Sequence, residues 1–421
     1  MIKIKRVVVT AVCALSVFSG ALMTPGAGFS GNAAVSPAGE VASIPLDDVA
    51  ALAEALKAGA KPLTFSPTSL GYVPDLLQRL SIAEDSQVLV FSRTSLQQGS
   101  VSPASPRAIY FNDTVSVGYI PGARLIELWA VGRDGMVRFY TLDNQPAAGS
   151  AGLAEDETCR FCHAARNPAA PGPMMLSVST QANGTVLSYG RQTDGRTPIA
   201  ERWGGWYVTG GHGSMRHRGN VIAEAASPAA AGAGQNLSAL DGRFNRAQYS
   251  RPTSDIVALL TLEHATGFLN YAGAIQALAT VAYDPAQMDK VVEDLADYML
   301  GVDTAVLSGS VTGVSGFSER FEAQGSRDGK GRSLREFDLQ TRLFRYPLSY
   351  MIYTPAFDGL PPDAKTRLYR RLADVLSGRD RSPKYRSLPE ADRVAAFDIL
   401  AATKPGLPTF WQRDVSAAAL P

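Results

Sequence analysis

Cys159, Cys162 and His163 fall in the run Cys-Arg-Phe-Cys-His, two thiols three residues apart with an imidazole directly after the second. Thiols at that spacing can add across the two vinyl groups of one porphyrin, and the next side chain can reach its iron from the proximal side. The chemistry expected is covalent attachment of one haem c, with Cys159 and Cys162 as thioethers and His163 as proximal iron ligand. A structural zinc site wants four ligands, usually two such cysteine pairs, and the chain has three cysteines in all. A thioredoxin-like redox pair wants a strand-to-helix turn in a βαβ setting and has no use for His163.

A haem iron has a sixth position, and its occupant separates an electron carrier from a catalyst or a sensor. All four histidines lie between residues 163 and 264. His212 and His217, with Met215 between them, sit in a glycine-rich run over 204–220 that could form a wall against a flat cofactor. Both are candidate distal ligands, His212 foremost because Gly210, Gly211 and Gly213 surround it. Arg216 and Arg218 of the same run are candidate partners for the haem propionates. The alternative is a glycine-rich turn after a strand, with surface histidines and arginines.

His264 falls in an apolar helical stretch and reads as a core histidine hydrogen-bonded to a neighbour, with haem contact as the alternative because Gly267 leaves room beside it. Glu263 belongs to a different side of that helix, so no carboxylate–imidazole pair is expected. Met174 and Met175 carry sulfur that could ligate iron, yet their alternating strand context reads as core packing.

The N-terminus has Lys3, Lys5 and Arg6 ahead of an apolar stretch over 7–18 and then small residues, the layout of a secretory signal cleaved between residues 21 and 34. A periplasmic or secreted protein without a transmembrane anchor is expected. Processing would remove Cys13, leaving no disulfide framework, so an apolar core must hold the fold. It would also take the net charge from +1 to about −2, too little positive field for a nucleic-acid partner. No P-loop, Rossmann glycine fingerprint or nucleophile elbow occurs.

Positioning of the motif follows from the pattern around it. Period-two runs over 87–93, 107–111, 115–120, 124–131, 136–142, 174–180 and 185–189 predict strands, with hairpin turns at 132–135 and 183–184. Helical spacing is expected over 47–57, 256–280, 363–376 and from Pro389 to about 402. Thr253 and Ser254 are expected to cap the second of these, and the aromatics over 344–357 read as a further packed helix. The fold class is therefore α+β, and not the small all-helical cytochrome c fold. The expected layout is a signal and leader over 1–34, a β-rich haem domain over 45–225, a linker or loop over 226–250 and a helical domain over 251–415.

The run CRFCH is similar to the attachment motif of c-type cytochromes. More widely, SQVLVFSRTSLQ, RAIYFNDTVSVGYIPG, RWGGWYVTGGHG, SDIVALLTLEH and LFRYPLSYMIYTPAFDGLP, spread over residues 86–360, resemble blocks of a family of exported bacterial proteins that carry one CxxCH. That resemblance implies a haem-binding member and brings no substrate with it. The leading expectation is single-electron transfer to a redox partner protein. A haem enzyme acting on peroxide or another small oxidant is the alternative, because a carrier needs far fewer residues; a haem-based sensor of a small ligand is a third.

Overall fold

The computed structural model describes residues 47–145, 152–164, 167, 169–224 and 236–411. The expected signal, Cys13 and leader lie outside the described residues, as do 226–235 of the expected linker.

Alternating apolar residues build an antiparallel meander of Val88–Val90 (β1), Arg107–Phe111 (β2), Val115–Tyr119 (β3), Leu125–Val131 (β4) and Val137–Asp143 (β5). Ala154–Glu155 (β6) adds to its outer edge beside β5. Leu176–Thr180 (β7) and Val186–Gln192 (β8) pair as a separate hairpin, and Trp206–Tyr207 (β9) closes the other edge against β1. The main sheet therefore runs β6-β5-β4-β3-β2-β1-β9. At the β4–β5 hairpin Gly135 takes a φ of +76°, the left-handed value glycine adopts without strain.

Successive strand side chains point to opposite faces, so the sheet carries two cores. Ile126, Leu128 and Ala130 of β4 and Tyr140 and Leu142 of β5 bury against Asp48–Lys57 (α1) and Val73–Arg79 (α2). Asp47 caps α1 by accepting the N–H groups of Val49 and Ala50, and its other oxygen accepts the Tyr140 hydroxyl at 2.6 Å. Trp129 of β4 and Val137 and Phe139 of β5 face the other way, into a core that extends through the helices to Trp411.

A single turn, Arg160–His163 (α3), carries no buried residue; the helices of the core are Ile256–Ala279 (α4), Pro285–Met299 (α5), Phe317–Ala323 (α6), Pro355–Asp358 (α7), Pro362–Leu376 (α8) and Glu390–Thr403 (α9). α4 is apolar nearly all round and is buried from Ile256 to Leu269, as its composition requires. Its cap differs from the expectation. Asp255, not Thr253 or Ser254, accepts the N–H groups of Val257 and Ala258, and its second oxygen takes those of Val314 and Ser315. Ser254 is spent instead on the sheet, donating to Tyr207 O and accepting from Leu89 N–H, which ties the start of α4 to β9 and β1.

The aromatics over 344–357 also depart from the expected helix. They occupy a 3-10 turn at Tyr350–Tyr353 and the single turn α7, where contacts such as Phe344–Tyr350 (5.5 Å) and Phe321–Phe344 (6.2 Å) replace helical periodicity. The fold is mixed α+β, strand-rich first and helical after. No helix among the described residues is long and apolar enough to cross a membrane.

Candidate cofactor site

The outer edge of the sheet delivers the chain to the Cys-x-x-Cys-His run. Asp156 N–H donates to Phe139 O at 2.9 Å, and the Asp156 carboxylate caps the 3-10 turn Glu157–Cys159 through Thr158 N–H. α3 follows without a break; Cys159 borders the smaller of two cavities at His163, and Cys162, three residues on, borders neither. Both are free thiols. Cys159 is half-buried against the helical core and burial pushes its thiol up to about 11, whereas Cys162 is exposed.

His163 is held from two sides. Its Nδ1 lies 2.9 Å from the carbonyl oxygen of Gly172, and its ring sits 4.4 Å from that of Phe139. Pro171 and Pro173 bracket Gly172 and restrict the backbone there, and Asn270 of α4 donates to Pro173 O at 2.9 Å. With Nδ1–H donating to a carbonyl, Nε2 carries the lone pair. Burial lowers the His163 pKa, partly offset by the Gly172 bond, so the ring is neutral and able to ligate.

Two cavities meet at His163 and Met174. The larger, about 350 Å³, is also bordered by Gln192, Asp194, Asn270 and Tyr271. On its polar side the Tyr271 hydroxyl faces Asp194 Oδ2 at 3.4 Å and accepts at 2.8 Å from Nη1 of Arg196, which does not itself border the cavity. Arg196 lies over the Tyr271 ring, and Gln192 Oε1 is buried without a partner. Burial raises the Tyr271 phenol, which stays protonated. The smaller cavity, about 80 Å³, lies over the inward face of the sheet and is bordered by Cys159, Arg107, Glu127 and Trp129.

In donor chemistry these residues fit a c-type haem. Two free thiols sit on one turn, and a neutral imidazole has one nitrogen already engaged by a carbonyl, the outer-shell bond that metal-ligating histidines make. The larger cavity falls in the range of about 300–1,000 Å³ usual for small-molecule sites. Among the described residues, no group of three or more His, Cys, Asp or Glu is placed to hold a metal ion.

No family model, curated protein or solved structure matches this chain.

The other expected site residues lie elsewhere. His212 and His217 are buried with rings 4.7 Å apart edge to face, and His217 Nδ1 accepts from Gly219 N–H at 3.0 Å. Neither borders the two cavities that His163 borders. Of the glycines around them, Gly210 serves protein packing, since a Cβ there would lie 2.5 Å from Ile256 of α4. Arg216 is exposed and Arg218 half-buried, its N–H donating to Arg202 O, and neither borders those cavities.

His264 bonds Ser349 through Nε2 at 2.6 Å, the core-histidine arrangement expected of it. Glu263 turns away and pairs with Arg202 at 2.8 Å. Gly267 borders the larger cavity beside His163, and a Cβ there would lie 2.1 Å from the Tyr298 hydroxyl. Met175 is buried in the core as expected, whereas Met174 borders both cavities.

Sequence reasoning missed Gly172, Arg107 and Glu127. A signal for the last two existed: each occupies an inward position of its strand, two residues before Ile109 and Trp129 respectively, where the alternation calls for an apolar side chain.

Proposed function

We propose that this chain is an exported protein carrying one haem c on Cys159 and Cys162, with His163 Nε2 as proximal ligand, and that its role is single-electron transfer. The observation that carries the reading is the His163–Gly172 bond inside a Cys-x-x-Cys-His run, since it presets the tautomer an iron ligand needs. When bound, haem supplies a one-electron iron couple whose potential depends on axial ligand and burial. The chain's own contribution is positional. Gly172 and Phe139 fix the imidazole, and the core beneath Cys159 keeps water from one side of the site. Met174 borders both cavities with His163 and would be the sulfur donor available to the group, whereas His212 and His217 border neither.

Expression with export, followed by denaturing electrophoresis and haem staining, tests the reading. Wild type should stain, and Cys159→Ser with Cys162→Ser should not. Staining that survives the double substitution, or an unstained wild type, ends it.

A second reading is favoured by one observation. Tyr271 and Asp194 border the larger cavity, and the Tyr271 hydroxyl, held by Arg196, could donate and accept protons beside a small oxidant. A visible spectrum unchanged by carbon monoxide or peroxide in both redox states supports the carrier. A ligand-accepting iron whose reaction with peroxide slows in Tyr271→Phe supports the enzyme.

A further inference from the structure

We infer that Arg107 and Glu127 act on the cofactor as a pair of opposite sign: Arg107 holds its carboxylate side chains and raises its reduction potential, and Glu127 limits that rise. The inference rests on the haem reading above and deepens it by assigning the propionate contact, expected at Arg216 and Arg218, to a different part of the fold.

The two side chains come from neighbouring parts of the sheet, Arg107 on β2 and Glu127 on β4, and meet across β3 at 2.8 Å. Gly118 of β3 makes the crossing possible, because a Cβ there would lie 2.3 Å from the Arg107 guanidinium. Both line the small cavity together with Cys159 and His163. They are largely withdrawn from solvent, with side-chain exposures of 22% and 11%. Gln97 Nε2 donates to the Glu127 carboxylate at 3.1 Å and so fixes the acid from the far side.

The pair stands at inward strand positions among Ile109, Trp129 and Phe139, where an apolar residue would pack, and Arg107 Nε is buried without a hydrogen-bond partner. A guanidinium presents five N–H groups in a planar fork that matches a carboxylate, and Glu127 takes one of its terminal nitrogens. Arg107 therefore has donor capacity left for a second carboxylate beside the attachment motif. A partly buried cation near the iron favours the reduced state and a partly buried anion favours the oxidised state.

The test is the reduction potential of the exported holoprotein, measured by spectroelectrochemistry for wild type, Arg107→Leu, Arg107→Lys and Glu127→Gln, with haem content read from the pyridine haemochrome. Arg107→Leu should lower the potential, Arg107→Lys should return part of the loss, and Glu127→Gln should raise it. A general loosening of the site would move the first and last in the same direction. Shifts of the same sign, or no shift in Glu127→Gln, overturn the inference even if Arg107→Leu fails to fold. Absence of haem from the wild type is a separate outcome, which overturns the haem reading and this inference with it.

Discussion

The imidazole of His163 and the carbonyl of Gly172, nine residues apart in the chain, are joined at 2.9 Å. This bond ties the orientation of the motif's only imidazole to a Pro-Gly-Pro bend that Asn270 anchors on the buried helix α4. The imidazole is thereby referenced to the core of the protein and not merely to the short turn that carries it.

His163→Ala should remove the nitrogen ligand while leaving both thiols. The expected outcome is a holoprotein whose visible spectrum changes on adding imidazole, with no comparable change in wild type. An unaltered spectrum in His163→Ala would show that His163 does not ligate the iron.

Burial lowers the His163 pKa and takes those of His217 and His264 down to about 3, against about 6.5 in the unfolded chain. A folded pKa below the unfolded one means that protons bind the unfolded state better. The associated stability is therefore complete above about pH 6.5 and is lost as pH falls toward 3, at up to ~1.4 kcal/mol per pH unit for each histidine. Urea unfolding of the protein without cofactor, between pH 7 and 4, should show this slope, and His264→Gln should flatten it by up to about one proton. Equal slopes in the two proteins would refute the assignment to His264.

Arg202 and Glu263 form an ion pair whose side chains are 3% and 0% exposed, between the loop before β9 and α4. Glu263→Ala leaves a buried guanidinium without its counter-charge and should cost about 3–5 kcal/mol. Replacing both partners by apolar residues of similar size, Arg202→Met with Glu263→Leu, should recover most of that loss. Denaturant midpoints decide it, and a double substitution as unstable as the single would show that the pair itself contributes the stability.

Gly267 lies against the Tyr298 hydroxyl, which donates to His264 O at 3.0 Å. Gly267→Ala should therefore destabilise by about 1–3 kcal/mol through overpacking, although alanine is the better helix former. In a Tyr298→Phe background the same substitution should cost less, because the nearest colliding atom is gone while the ring carbon that carried it, 2.6 Å from the added Cβ, remains. Thermal melts of the four proteins measure the coupling; additivity would mean that α4 and α5 shift apart freely.

The motif, the strands of the meander and the buried helix α4 were legible without coordinates. Each is written in a local pattern: a fixed spacing of thiols and imidazole, a period of two, or a long run of apolar residues. The helix over 362–376 and the turns at Gly135 and Gly184 were legible for the same reason. The two-residue strands β6 and β9 were not, because only pairing with β5 and β1 defines them. Nor was the cap of α4, where three residues able to cap stand in a row and contacts with β1, β9 and residues 314–315 decide which one turns inward. The surroundings of the motif belong to the same class. Composition drew attention to His212, His217, Arg216 and Arg218, all scarce or charged and close together in the chain. Met174 was in view from its sulfur alone, but only the tertiary structure set the Gly172 carbonyl on His163 and brought Arg107 and Glu127 to the motif, the latter because strand register and face choose neighbours over tens of residues and local spacing does not carry that information.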